Sequence, residues 1–366
     1  LIDPKLLNNP PALSSYKNDL REVMLRIPED DLEAQMEMLR QFKQAQHLRI
    51  AAADISNVLP LTKVSDHLTA LAEAIIEEVV NLAWLHVVQR FGLPESLTDQ
   101  DHKGFAVLGY GKTGGIELAY SSDLDLVFLH NSQKSEMTNG EKSVPASQFY
   151  VKLAQRIMHI FNTRMSSGIL YELDMRLRPS GNSGLLVVHI DTFNQYQLED
   201  AWTWEHQALV RARCVYGNAK LGDKFNIIRQ GILSKQRDSL ALFDEVRQMR
   251  DKMRDHLDKS NDSKSDIKQG RGGLVDIEFL AQYLVLKHSF SQPEVCVFSD
   301  NIRIFKQLHL CHIINEQQKS TLIECYCKLR DLGHKVALQN QEQLLPNEEF
   351  KLCSTEVNKV ITQLFK

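Results

Sequence analysis

The sequence predicts an α+β fold, with a small mixed sheet flanked by N-terminal helices and a C-terminal helical bundle. Three observations carry this reading. Apolar residues recur at helical spacing through the first hundred positions. Short apolar runs closed by glycine or turn residues follow between residues 104 and 190. From Phe193 onward the helical period dominates again. The 366 residues suffice for two or three domains, and the changes of period divide the chain into 1–100, 101–215 and 216–366.

In the first region, "LRQFKQAQHLRIAAADI" and the apolar run from Leu68 to Val88 read as helices. Leu71, Ile75, Val79 and Leu82 share one stripe, and "GLPES" ends that helix with a Gly and a Pro. In the middle region, "GFAVLGYG", "DLDLVFLH", "LYELDMRLRP" and "GLLVVHI" read as four strands. "QFYVKLAQRIMHIF" is a helix between the second and third, with Phe149, Leu153, Ile157 and Ile160 on one face. In the last region helices are expected near 200–215, 240–257, 275–288, 300–310, 316–338 and 354–366, with 259–273 a mobile loop.

Composition excludes several classes. The chain has 43 basic and 47 acidic residues, a net charge of −4. A protein gripping a nucleic-acid backbone along its length is usually basic, so no nucleic-acid partner is expected. The most apolar stretch, "LTALAEAIIEEVVNLAWLHVV", is interrupted by Glu73, Glu77 and Glu78 and reads as a buried helix, not a membrane span. The start, "LIDPKLLNNPPALSS", is not a signal peptide, and a chain without an initial Met reads as part of a longer one. Six cysteines lack framework spacing and read as reduced thiols of a cytoplasmic protein.

The turn "GYGKTGG" fits two phosphate-loop patterns only in part. Ala106 stands where a P-loop needs its first Gly. The next strand begins near Ser122, too soon for a dinucleotide-binding crossover. What remains is a glycine turn whose N–H groups can approach an anion, with Lys112 adding charge.

Asp123 and Asp125 sit in the apolar run that follows the turn. Residues i and i+2 of a strand share a face, ~6.5–7 Å apart. Paired carboxylates repel unless a proton or a cation intervenes. A divalent cation that also carries substrate phosphates resolves the repulsion, and two such ions ~3.5–4 Å apart can clamp an in-line phosphoryl displacement. In the third strand, alternation puts Glu172, Asp174, Arg176 and Arg178 on one face, an acid-then-arginine order suited to a metal and a polyphosphate. Alternation does not separate Glu172 from Asp174.

This constellation resembles the nucleotidyltransferase superfamily with a polymerase-β-type fold, whose signature is a hydrophobic residue and a glycine, a short spacer, then Asp-h-Asp. Here Leu108-Gly109-Tyr110 precedes twelve residues and Asp123-Leu124-Asp125-Leu126, with Tyr110 where the signature has a small residue. The longer motifs "GYGKTGGIELAYSSDLDLVFLH", "LYELDMRLRPSGNSGLLV", "AWTWEHQALVRAR" and "IKQGRGGLVDIEFLAQYL" resemble the glutamine synthetase adenylyltransferase family. That family carries an AMP-removing and an AMP-adding half, and "RLRPSG" and "WTWEHQALVRAR" look like the adding half.

The resemblance implies transfer of AMP from ATP to a tyrosine hydroxyl of glutamine synthetase, with Mg²⁺ or Mn²⁺ as cofactor. Glutamine and the PII signalling protein are its implied regulators. By position, Asp123 and Asp125 match the catalytic metal ligands, and Asp174 matches the third catalytic carboxylate, a metal ligand or the base for the incoming hydroxyl. Gly109, Gly111, Lys112, Ser122, Arg176 and Arg178 match positions near the nucleotide phosphates. Trp202, Trp204 and Glu205 either line the site or pack in the core; Asp276 and Glu278 read as capping the helix after Gly272 and Gly273. The rival readings are phosphorolytic AMP removal, nucleotidyl transfer to RNA or a small molecule, and a catalytically inert regulatory module.

Overall fold

The computed structural model describes residues 10–97, 103–339 and 341–365. Most of the stretch read as lacking a signal peptide, and the expected boundary at residue 100, lie outside the described residues. The chain divides into two compact units. The first comprises Leu1–Tyr196 and Arg213–Asn226; the second comprises Gln197–Ala212 and Ile227–Lys366.

The first unit opens with α1 (Tyr16–Met24), α2 (Leu32–Ile55) and α3 (Leu61–Phe91). Leu71, Ile75, Val79 and Leu82 form the buried stripe of α3, as their spacing requires. Gly92 ends that helix with φ +75, a conformation that glycine adopts without strain. The glutamates that interrupt this apolar helix are partly satisfied by basic partners: Glu73 pairs with Arg213, and Glu77 lies 2.6 Å from Lys17.

The sheet follows: β1 (Phe105–Gly109), β2 (Leu124–His130), β3 (Leu173–Asp174), β4 (Val187–His189) and β5 (Arg213–Tyr216). Its order is β3-β2-β1-β5, and β4 pairs with the same strand, β2, as β3 does. β1 is antiparallel to β2 and β5, whereas β2 is parallel to β3 and β4. Every residue of β2 is buried except Asp125, which is half-buried. A strand covered on both faces reads as a continuous apolar run, so the one acidic position within it stands out. α4 (Gly111–Gly114) is the glycine turn, and α5 (Ala146–Asn162) buries Phe149, Leu153, Ile157 and Ile160. The Arg40 guanidinium, 1% exposed, donates to the carbonyls of Met36, Ile160, Thr163 and Gly168, tying α2 to the end of α5 just before β3.

In sequence, α6 (Ile190–Glu199) precedes α7 (Thr203–Val210) and β5, and α8 (Ala219–Leu233) follows them. The helix expected over 200–215 therefore stops at Val210. Arg213–Tyr216, "RCVY", instead takes the free edge of β1, a pairing that local periodicity does not report.

The second unit contains α9 (Ser239–Leu257), α10 (Leu274–His288), α11 (Asn301–Leu310), α12 (Glu316–Leu338) and α13 (Asn347–Leu364). α13 begins earlier than the expected 354. The stretch 259–273, expected to be a mobile loop, is ordered by its own short polar side chains. Asn261 Oδ1 accepts from the N–H groups of Ser263 and Lys264, and Asp266 Oδ1 accepts from those of Lys268 and Gln269. Within it, β6 (Lys264–Asp266) pairs with β7 (Leu344–Pro346) from a distant part of the sequence. No helix among the described residues is long and apolar enough to cross a membrane.

Candidate active site

β1 runs into the glycine turn at Gly109. The Tyr110 N–H donates to the Asp125 carbonyl at 2.9 Å, pinning the turn to β2. Gly111 has φ +50, and a Cβ at that position would stand 2.5 Å from Oδ2 of Asp125. Only glycine can bring the turn's backbone against that carboxylate. Lys112 lies half-buried in the same turn. A second turn delivers Asp123: Ser122 Oγ accepts from the Ala119 N–H at 2.9 Å, and the Ser122 N–H donates to the Ala119 carbonyl at 3.1 Å.

The third acid arrives through parallel pairing. Leu124 is paired with Leu173 and Asp125 with Asp174. Carboxylate oxygens of Asp123, Asp125 and Asp174 all lie within 4.8 Å of one another. Glu172 stays exposed and joins the ladder through its carbonyl, which accepts from the Leu124 N–H at 2.9 Å.

The expected third strand is shorter than its alternation suggests. Only Leu173 and Asp174 are strand, and the chain then turns. Arg176 consequently folds back onto Asp174. Its N–H and Nε donate to Oδ1 at 2.9 and 3.0 Å, Nε also reaches Oδ2 at 2.9 Å, and Nη2 bonds Oδ2. These bonds hold the Asp174 carboxyl below the usual carboxylate range despite its partial burial. Arg176 is pushed up, first by Asp174 and then by the charges of Asp125 and Asp123. Arg178 does not continue the face either. Its guanidinium donates to the carbonyls of Met175 at 2.7 Å and Asn182 at 3.2 Å, closing the turn.

Sequence patterns do not reveal Arg213. From β5 its Nε donates to the Gly114 carbonyl and its Nη2 to the Thr113 carbonyl, both at 3.1 Å, while Nη2 also pairs with Glu73. Arg213 thus braces the C-terminal end of the glycine turn. The one visible signal is Glu73, an acid inside an apolar helix. Trp202 and Trp204 belong to the second unit and are 70% and 38% exposed, so they do not form a packed aromatic core. Glu205 closes the start of α7 by accepting from the Trp202 N–H at 2.9 Å. Asp276 is buried, accepting from the Gly272 N–H at 2.7 Å and from Arg250 and Arg254; Glu278 pairs with Arg211 at 2.9 Å.

The acid cluster fits a hard divalent cation. Its donors are all carboxylate oxygens, the hard ligands that Mg²⁺ takes, gathered within 4.8 Å of one another. The cationic Arg176 already occupies part of this negative field.

A glycine turn braced against paired acids at one end of the strands of a small mixed sheet defines a nucleotidyltransferase. A family model described as glutamate-ammonia ligase adenylyltransferase matches residues 1–228. The chain belongs to that family. Glutamate-ammonia ligase is glutamine synthetase, so the family is that of the glutamine synthetase adenylyltransferases. Residues 242–356 match a second model, described as PII-uridylyltransferase.

Proposed function

We propose that this chain transfers AMP from ATP to a tyrosine hydroxyl of glutamine synthetase in the cytoplasm and releases pyrophosphate. The carrying observation is the convergence of Asp123, Asp125 and Asp174 within 4.8 Å beside the glycine turn. In this reading the three acids are the catalytic residues and hold one or two divalent cations, Mg²⁺ or Mn²⁺. A cation bound there neutralises charge on the triphosphate and the leaving pyrophosphate. Gly109 and Gly111 keep side chains away so that N–H groups of the turn reach phosphate oxygens, and Lys112 adds a positive charge. Ser122 shapes the approach to Asp123. Arg176, and to a lesser extent Arg178, supply guanidinium groups to the phosphates once the nucleotide is present.

Asp174, held ionised by Arg176, acts mainly through its charge. A tyrosine hydroxyl has a pKa of about 10 and must lose its proton as it attacks. A carboxylate of the cluster can take that proton, and a cation held there would stabilise the phenolate oxygen that forms. Glutamine and the PII signalling protein are the regulators in this reading. The match of residues 242–356 to a model described as PII-uridylyltransferase supports a PII link.

Two incubations test the direction. Unmodified glutamine synthetase with ATP and Mg²⁺ should gain AMP on tyrosine. The adenylylated form with inorganic phosphate should be left unchanged. Release of ADP in the second reaction, without modification in the first, reverses the assignment to AMP removal.

A further inference from the structure

We infer that the second unit carries a binding site for a small dianion, a dicarboxylate or a phosphate ester, in an arginine-lined cavity of about 330 Å³. That volume suits a small metabolite. The site is independent of the acid cluster in the first unit.

Three helices build the wall, each with a stripe at helical spacing. α9 contributes Arg247, Arg250 and Arg254, α10 contributes Asp276 and Phe279, and α13 contributes Asn358 and Ile361, with Phe365 just past its end. Arg271 joins from the turn that precedes α10. Its place depends on Gly272, which has φ +78. A Cβ there would meet the Ser354 carbonyl oxygen at 2.6 Å and Asn358 Nδ2 at 2.9 Å. Glycine therefore lets the turn press on α13 and sets Arg271 at the cavity.

The four arginines are not equivalent. Arg250 is satisfied within the protein: Nε donates to Asp276 at 2.5 Å, and its other nitrogens donate to Gln269 at 3.0 and 2.7 Å. Arg254 shares Asp276 at 2.8 Å and Asp251 at 3.1 Å, yet its Nε is buried without an acceptor. Arg247 has its carboxylate partner, Asp244, only at 3.8 Å. Arg271 has no partner among the described residues. Four guanidinium groups thus face two carboxylates in the wall, Asp251 and Asp276; Asp244, outside it, reaches Arg247 only at 3.8 Å, and Arg271 is left without a carboxylate among the described residues, beside apolar surface. An unpaired buried guanidinium N–H is costly, and a charge-assisted bond to a carboxylate or phosphate would satisfy it.

The test is calorimetric titration of the full chain with succinate and with glycerol 3-phosphate, using neutral succinamide as control. Saturable binding of at least one dianion is expected, with none for succinamide. Arg271→Gln and Arg247→Gln should each weaken it about tenfold. Asp125→Asn should leave it unchanged. Binding of succinate alone assigns a dicarboxylate; binding of glycerol 3-phosphate alone assigns a phosphate ester. Both arginines are exposed, so the variants should keep the wild-type melting midpoint, and should one fold poorly the other decides. Absence of binding by both dianions, binding that survives both arginine substitutions, or its loss in Asp125→Asn would each overturn the site.

Discussion

Asp125 on β2 and Asp174 on β3 are register partners across a parallel strand pair. Far apart in sequence, they reach one carboxylate cluster because Leu124 and Leu173 pair beside them. The acid that looks alone in an apolar strand is one of a pair, and the helix α5 between the two strands is what brings the second one back.

Asp123→Asn and Asp125→Asn should each abolish metal-dependent AMP transfer and leave the melting midpoint near that of wild type. Removing support behind a metal ligand costs about 10–100-fold, and loss of a direct ligand should exceed that. Adenylylation assays paired with thermal melts check this. Near-normal transfer by either variant removes the metal assignment.

Asp174→Asn should lower kcat far more than it weakens ATP binding, because Asp123, Asp125 and the glycine turn remain. Glu172→Gln should change kcat less than about twofold, as befits an exposed substitution away from the site. Comparing kcat with KM for ATP in both variants separates the acids. An inactive Glu172→Gln enzyme beside an active Asp174→Asn one would reverse their roles.

Arg176→Gln should bind Mn²⁺ more tightly in the absence of nucleotide. The guanidinium is bidentate on Asp174 and competes with any cation for the same oxygens. Titration followed by paramagnetic resonance reads free Mn²⁺ directly, independent of turnover. Unchanged or weaker binding argues against the competition.

Gly111→Ala should combine a modest loss of stability with a large loss of activity. A left-handed backbone costs a non-glycine residue about 1 kcal/mol. The new methyl group would also collide with Asp125 Oδ2 and move a carboxylate of the cluster. A variant that loses stability but transfers AMP at the wild-type rate would separate the turn from the chemistry.

The first unit should lose stability in mild acid, in part through His130. This ring stacks on Tyr150 with centroids 4.9 Å apart and pairs with Ser132 Oγ at 2.9 Å. Burial, reinforced by His189, pushes it down to about 4 from an ordinary value of 6.5. Between those pH values the unfolded chain holds the extra proton, so stability rises with pH. The contribution is complete above 6.5, falls as the pH drops, and is gone below about 4. Denaturant midpoints at about pH 7.5 and about pH 5, on either side of the ordinary histidine value, should differ less in His130→Gln than in wild type. A residual difference should remain from His47, likewise pushed down to about 4. An identical acid limb in the variant would exclude His130.

Much of the fold and the site is legible in the linear order of residues. The buried stripes of α3 and α5, the strand β2 and the pairing of glycine turn with Asp-x-Asp are local patterns, and a burial period survives in one dimension. Alternation sets Arg176 and Arg178 in the phase of a strand that in fact ends at Asp174. It extrapolates a strand past its end because it carries no information about where the ladder runs out of partners. The segment "RCVY" has a helical reading for the converse reason: its β state comes from the free edge of β1.

The sequence by itself determined which residues could do chemistry: an acid pair in an apolar run, a third acid beside arginines, and a glycine-rich turn that carries Lys112. These follow from residue type and spacing, because a charge in an apolar run needs compensation wherever the chain folds. Only the tertiary structure decided which acids meet. Parallel register chose Asp174 over Glu172, the early end of β3 turned Arg176 onto it, and β5 brought Arg213 to the back of the glycine turn. Such relations are pairings between distant segments, set by strand register and by the packing of helices whose burial period is visible but whose partners are not.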